Sequence, residues 1–199
     1  MEVLFNDLKK RYKKISIVCV CVTGSKSWKS ENCKDLDLVV IAENTPLGAR
    51  MHFSKAYNAD VWLYSIPHFE KMAKGESLHY SPIVGLAQCN PENVLYGEIP
   101  IANYNWFDYQ KLALLRTYEQ GLRGYFNVET MKQRGKEYCL KSMIWALLAW
   151  FAIQNQSFEF TTEQREILQK CHDLQLPVSY AEELKINMES KLKEWGLIK

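Results

Sequence analysis

The sequence lacks any run that would span a bilayer. Its longest apolar segment, Met143 to Ile153, is about half of what a membrane helix requires. An apolar stretch follows the basic residues Lys9, Lys10, Arg11, Lys13 and Lys14, but no A-x-A site closes it and it flows into a turn. It therefore reads as a strand and not as a secretory leader. There is also little excess of either charge: 25 Lys and Arg against 23 Asp and Glu leave +2, which neither requires nor excludes a nucleic-acid partner. The six cysteines, Cys19, Cys21, Cys33, Cys89, Cys139 and Cys171, form no CxxC pair and no dense disulfide framework. Cys19 and Cys21 share one face of the first predicted strand and read as small reduced core residues, with a redox or metal role as the alternative. His52, His68, His79 and His172 are scattered and make no ligand pattern. No G-x-G-x-x-G and no G-x-x-x-x-G-K-[ST] occurs, so the dinucleotide and P-loop solutions to phosphate binding fit poorly. No internal repeat or low-complexity tract is present. A reducing cytoplasm and no membrane partner are the expectation.

What is present is an ordinary globular composition, 47% hydrophobic and 24% charged, over 199 residues, enough for one large or two small domains. Glu2 to Lys14 reads as an amphipathic helix with Val3, Leu4, Leu8 and Tyr12 near helical spacing and a solvated basic face. Strands are expected at Ile15 to Thr23, Asp35 to Ala42, Arg50 to Phe53 and Ala59 to Ile66, with a helix opened by Pro67. Tyr80 to Cys89 reads as a short helix or loop, and Asn90 to Glu98 as a connector. After Pro100 the period becomes helical: Phe107 to Phe126, Val128 to Gln154, Thr162 to Leu174 and Ser179 to Trp195. Thr161 or Thr162 with a following Glu or Gln resembles a capping box. Met143 to Ile153 is apolar on every side, as the central helix of a small bundle would be. A boundary near residue 104 then separates an α/β half, 1–103, from a helical half, 104–199.

The chemistry concentrates between Val18 and Ile41. The first strand ends at Thr23, and Gly24-Ser25 follows at its mouth, offering unobstructed backbone N–H groups and a hydroxyl to a phosphate. After a polar spacer, Asp35 and Asp37 stand two apart on a strand, so their side chains leave the same face. Leu36, Leu38, Val39, Val40 and Ile41 bury that strand, and two carboxylates at its head repel unless a cation lies between them. Asp60, near the start of the Ala59 to Ile66 strand, would bring a third carboxylate to the same end if the two strands pair. Such a site suits two divalent ions about 3.5–4 Å apart and a nucleoside triphosphate. The opposing reading makes Asp35 a turn cap and Asp60 an exposed strand end. It leaves Asp37 within an apolar strand without a partner, at a cost of several kcal/mol.

Gly24-Ser25, a spacer over 26–34, Asp35-x-Asp37 followed by Leu-Val-Val, and a third aspartate in Ala59-Asp60-Val61 resemble the motif of the DNA polymerase β-like nucleotidyltransferase superfamily. The motif covers residues 18 to 64, and the helical half agrees in general character. The chain departs from the pattern in the spacer, where Trp28-Lys29-Ser30 stand in place of the further glycine of many members. The resemblance implies an α+β fold: a small mixed β-sheet nucleotidyltransferase core with flanking helices, followed by a C-terminal helical bundle. It implies that Asp35 and Asp37 bind both metals, and that Asp60 binds the catalytic metal and assists deprotonation of the acceptor. Gly24 and Ser25 would hold the β- and γ-phosphates.

Related enzymes often supply a cleft lysine from the helical half, which makes Lys136 or Lys141 the candidate here. Lys132 and Lys136 precede Leu140, Met143 and Leu147 at helical spacing. Lys26 and Lys29 in the spacer would contact the triphosphate or simply be solvated. Arg116 and Arg123 are candidates for an acceptor nucleic acid, and Tyr104, Trp106 and Tyr109 for stacking a base or for packing.

The expected activity is Mg²⁺-dependent transfer of an NMP from an NTP to a hydroxyl with release of pyrophosphate, using two Mg²⁺ ions with Mn²⁺ as an alternative. The acceptor is left open among an RNA or tRNA 3′ end, a protein and a small molecule. The competing expectation is a catalytically inactive nucleotide-binding or interaction protein on the same fold.

Overall fold

The computed structural model describes residues 1–28, 33, 36–43, 45, 50–55, 58–71, 87, 90–100, 110–111, 114–115, 118, 121, 124, 132–173 and 175–199, with only the backbone at 50–53, 133, 134, 137 and 141. The chain forms two compact units, Met1–Tyr104 and Asn105–Lys199.

The first unit opens with helix α1, Glu2–Arg11, which buries Leu4 and Leu8 and leaves Lys9, Lys10 and Arg11 exposed in its last turn, where cations suit the helix dipole. The apolar stripe is narrower than its sequence suggests. Val3 is 58% exposed, because the buried line follows the four-residue spacing of Leu4 and Leu8. Strand β1, Ile17–Thr23, leads into a single turn of helix, α2, Gly24–Ser27. Strands β2, Leu36–Ala42, β3, Arg50–Ser54, and β4, Ala59–Ser65, follow, and then helix α3, Ile66–Lys71. A 3-10 turn, Pro91–Asn93, precedes β5, Val94–Gly97.

The five strands form one sheet in the order β3-β4-β2-β1-β5. β2 and β4 are parallel, and the other pairs are antiparallel. The fold is thus α+β with a small mixed sheet and flanking helices, as expected. The segment expected as a connector over Asn90 to Glu98 instead supplies an edge strand. That strand has only four residues and they are mostly exposed, so the apolar alternation that betrays a strand is missing.

Alternation along the strands sorts the sheet into two faces. Val20, Val22, Leu38, Val40, Ala42, Ala59, Val61 and Leu63 join Leu4, Leu8 and Ile15 in one buried cluster, so α1 covers that face. The opposite face carries Cys19, Cys21 and Thr23 from β1, Asp37, Val39 and Ile41 from β2, and Asp60, Trp62 and Tyr64 from β4.

Every described element of the second unit is helical. Gln110, Lys111, Leu114, Leu115, Tyr118, Gly121 and Gly124 lie in helical conformation ahead of α4, Gln133–Asn155. A Cβ at Gly121 would lie 2.7 Å from the Met143 backbone, so glycine permits close approach to α4. Met143 and the run from Ala146 to Ala152 are buried, which fits the all-round apolar sequence. Helix α5, Thr162–His172, begins with a complete capping box between Thr161 and Gln164. Helix α6, Val178–Glu194, follows Pro177. Its Glu189 accepts a hydrogen bond from the Tyr118 hydroxyl, and Lys111 Nζ sits 5.0 Å from the Trp195 ring centre. No helix among the described residues is long and apolar enough to cross a membrane.

Candidate active site

The site is built by strand register. In the antiparallel β1–β2 pair Thr23 lies opposite Asp37, and in the parallel β2–β4 pair Asp37 lies opposite Asp60. Thr23, Asp37 and Asp60 therefore form one row across three strands, on the face turned away from α1. The row sits at the rim of the sheet, since Thr23 ends β1 while Asp37 and Asp60 are each second in their strands. Both carboxylates are half-buried. Adjacent strands run about 4.8 Å apart, so both can reach a single ion between them. No ion pair to Asp60 occurs among the described residues.

Gly24 closes one side of this row. Its φ is +65°, and a Cβ built on it would overlap a carboxylate oxygen of Asp37. Glycine is needed here for both the left-handed backbone and the close approach. The turn is held from behind. Ser27 is buried and its Oγ donates to the Gly24 carbonyl at 2.7 Å, while Asn93 Nδ2 donates to the Ser27 carbonyl at 2.9 Å. Ser25 Oγ donates to Cys33 Sγ at 3.5 Å. Trp28 is buried beside the turn, and Lys26 is exposed.

The cysteines behind the site are core residues. Cys19 and Cys21 are fully buried with their sulfurs 3.4 Å apart, and both are free. The hydrogen bond between the two thiols pulls Cys19 below its ordinary range; the same bond and burial push Cys21 up.

Asp35, Lys29, Arg116, Arg123, Tyr104, Trp106 and Tyr109 lie outside the described residues. Lys136 is half-buried near the start of α4, and Lys141 is part of the same helix. Lys132 is not on that helix as its spacing suggested: it is an extended residue just before it, with ψ 153°. Among the described residues no group of three His, Cys, Asp or Glu side chains comes together; Asp37 and Asp60 are two of the three expected carboxylates. Sequence reasoning missed Thr23, Ser27 and Asn93. Counting the β1–β2 register from the two apolar runs would have placed Thr23 beside Asp37, but nothing local marks Asn93, whose partner is remote in sequence.

No family model matches the sequence, and no curated protein matches it. Among solved structures the chain is similar to a nucleotidyltransferase-like protein from Exiguobacterium sibiricum 255-15. The two are 12% identical over 97% of this chain and 73% of that one, with a TM-score of 0.31, a likeness too slight to carry that protein's properties across.

Proposed function

We propose that the chain is a metal-dependent nucleotidyltransferase that moves an NMP from an NTP to a hydroxyl. The observation that supports this reading is the in-register pair Asp37–Asp60 with Gly24 pressed against it. Like charges directly opposite on paired strands destabilise a sheet, and a divalent cation removes that cost. The donors are hard carboxylate oxygens, which fit Mg²⁺ or Mn²⁺ and not a soft metal. Asp37 and Asp60 would hold the ions, with Asp35 as the third ligand. Bound there, the ions would neutralise the triphosphate and lower the pKa of the attacking hydroxyl.

Gly24 N–H, Ser25 N–H and the Ser25 hydroxyl would receive the β- and γ-phosphates. The acceptor oxygen forms a bond to the α-phosphorus as the α–β bridging bond breaks. Pyrophosphate leaves, and Asp60 accepts the hydroxyl proton. The acceptor is an RNA 3′ end, a protein or a small molecule. A reducing, cytoplasmic setting belongs to the same reading, supported by Cys19, Cys21 and Cys171, buried thiols outside any disulfide.

Calorimetry with each Mg²⁺-NTP on the parent and on Asp37→Ala and Asp60→Ala tests the site. Binding lost in both variants is the expected result, and undiminished binding overturns the assignment. Incubation with labelled NTPs and cell extract, fractionated into RNA, protein and metabolites, then finds the acceptor. Binding without pyrophosphate release on any acceptor identifies an inactive nucleotide-binding protein instead.

A further inference from the structure

We propose that Asn93 is a positioning residue for this site: acting through Ser27, it fixes Gly24 against the Asp37 carboxylate. The inference rests on the nucleotidyltransfer reading for its effect on nucleotide, but the brace itself is a matter of geometry. Asn93 ends the 3-10 turn before β5, and the β1–β5 pairing sets Val94 opposite Cys21. That pairing brings buried Asn93 to the end of β1, where the chain turns into Gly24. From there Nδ2 donates to the Ser27 carbonyl at 2.9 Å, across a separation of 66 positions. Ser27 passes the constraint on, its Oγ donating to the Gly24 carbonyl at 2.7 Å.

The brace is needed because α2 has four residues. A helix that short has too few internal bonds to hold itself, and its last carbonyls find no partner within it. Asn93 satisfies one of them and ties it to the sheet. The far end of the chain of bonds is Gly24, where even a Cβ would meet Asp37. Any slack in the brace is therefore felt at once at the carboxylate row. Asn suits the task because its amide donates to a carbonyl. Aspartate has the same shape but would set oxygen against oxygen.

The experiment compares the parent with Asn93→Asp, Ser27→Ala and the double variant. It measures hydrogen exchange at residues 24–28 and calorimetric binding of each of the four Mg²⁺-NTPs. The expected result is a cooperative melt in every variant, exchange at 24–28 at least tenfold faster than in the parent, and binding about tenfold weaker. Because the two side chains act in one relay, the double variant should be no worse than the weaker single, the mark of coupled rather than independent sites. Parent-like exchange in both single variants overturns the brace, and so do additive losses. Loosened exchange with parent-like binding overturns the positioning role. If Asn93→Asp fails to fold, Asn93→Ala, which removes the donor without bringing in a charge, decides by the same two readouts, since Ser27→Ala leaves the Ser27 carbonyl in place. A parent that binds no NTP overturns the nucleotidyltransfer reading, while the exchange rates still decide whether Asn93 holds the turn.

Discussion

Asp37 and Asp60 are direct neighbours across the parallel β2–β4 pair, each the second residue of its strand, both half-buried. Two negative charges placed so cost stability, roughly 0.2–1 kcal/mol for a cross-strand pair. Asp60→Asn should therefore raise the melting temperature of the metal-free protein at low salt by at most about 4 °C, since 1 kcal/mol shifts it by about 2–4 °C at this chain length. The same variant should lose the stabilisation that Mg²⁺ gives the parent. Melts with and without Mg²⁺ check both, and a variant still stabilised by Mg²⁺ like the parent would remove Asp60 from the site.

Gly24→Ala should cost more than the backbone strain alone. A left-handed conformation penalises a Cβ by about 1–2 kcal/mol, and here the Cβ also collides with Asp37. Gly196 provides the control: its φ is +67°, and nothing lies within 4 Å of a Cβ added there. Urea unfolding of Gly24→Ala and Gly196→Ala should show the former losing clearly more free energy. Mg²⁺-NTP binding should fall only in Gly24→Ala. Equal losses would mean that the contact with Asp37 does not matter.

The carboxylate row was legible because each part is local. Alternation along Asp35 to Ala42 shows which face Asp37 takes, and the β-branched, aromatic run after Ala59 marks the strand carrying Asp60. Their pairing was only conditional in the sequence, since β2 and β4 are joined through β3 and nothing in the residues states the register. Asn93 was illegible for a stronger reason: its value is one hydrogen bond to Ser27, and β5, which carries it there, is a four-residue exposed edge without a period. The helical unit was read well at Thr161, where a cap is a four-residue pattern. It was read poorly at Lys132, where helical spacing continues past the helix's actual start.

The capping box of α5 extends into a wider network. Thr161 Oγ1 accepts from the Gln164 N–H at 3.2 Å, and Gln164 Oε1 accepts from the Thr161 N–H at 3.0 Å. Gln164 also exchanges two amide bonds with Asn155 at 2.8 and 3.0 Å, which joins the end of α4 to the start of α5. Thr161→Ala should cost about 1 kcal/mol, the usual value of a lost cap. Gln164→Ala should cost more, and Gln164→Ala with Asn155→Ala should fall short of the sum of the singles because they share the same bonds. Denaturant unfolding of the three variants and the double tests this. Full additivity would show that the amide pair contributes nothing of its own.

Alkaline pH should weaken the second unit. Cys171 is fully buried, and burial alone pushes its thiol well above the ordinary 9.0. Tyr180 is raised as well, by burial first and then by Glu163 and Glu183. A raised acid keeps its proton in the folded chain while the unfolded chain has already released it. Its contribution is thus intact below the unfolded value and is lost as pH climbs through the window above it. From about pH 9 upward for Cys171, and from about pH 10 upward for Tyr180, each group removes at most about 1.4 kcal/mol per pH unit. Cys171→Ala should be less stable than the parent near neutrality, because it leaves a small cavity, but its stability should decline less steeply between pH 9 and pH 11. Urea midpoints across that range decide the matter: parallel slopes for parent and variant would mean that the Cys171 proton does not report on folding.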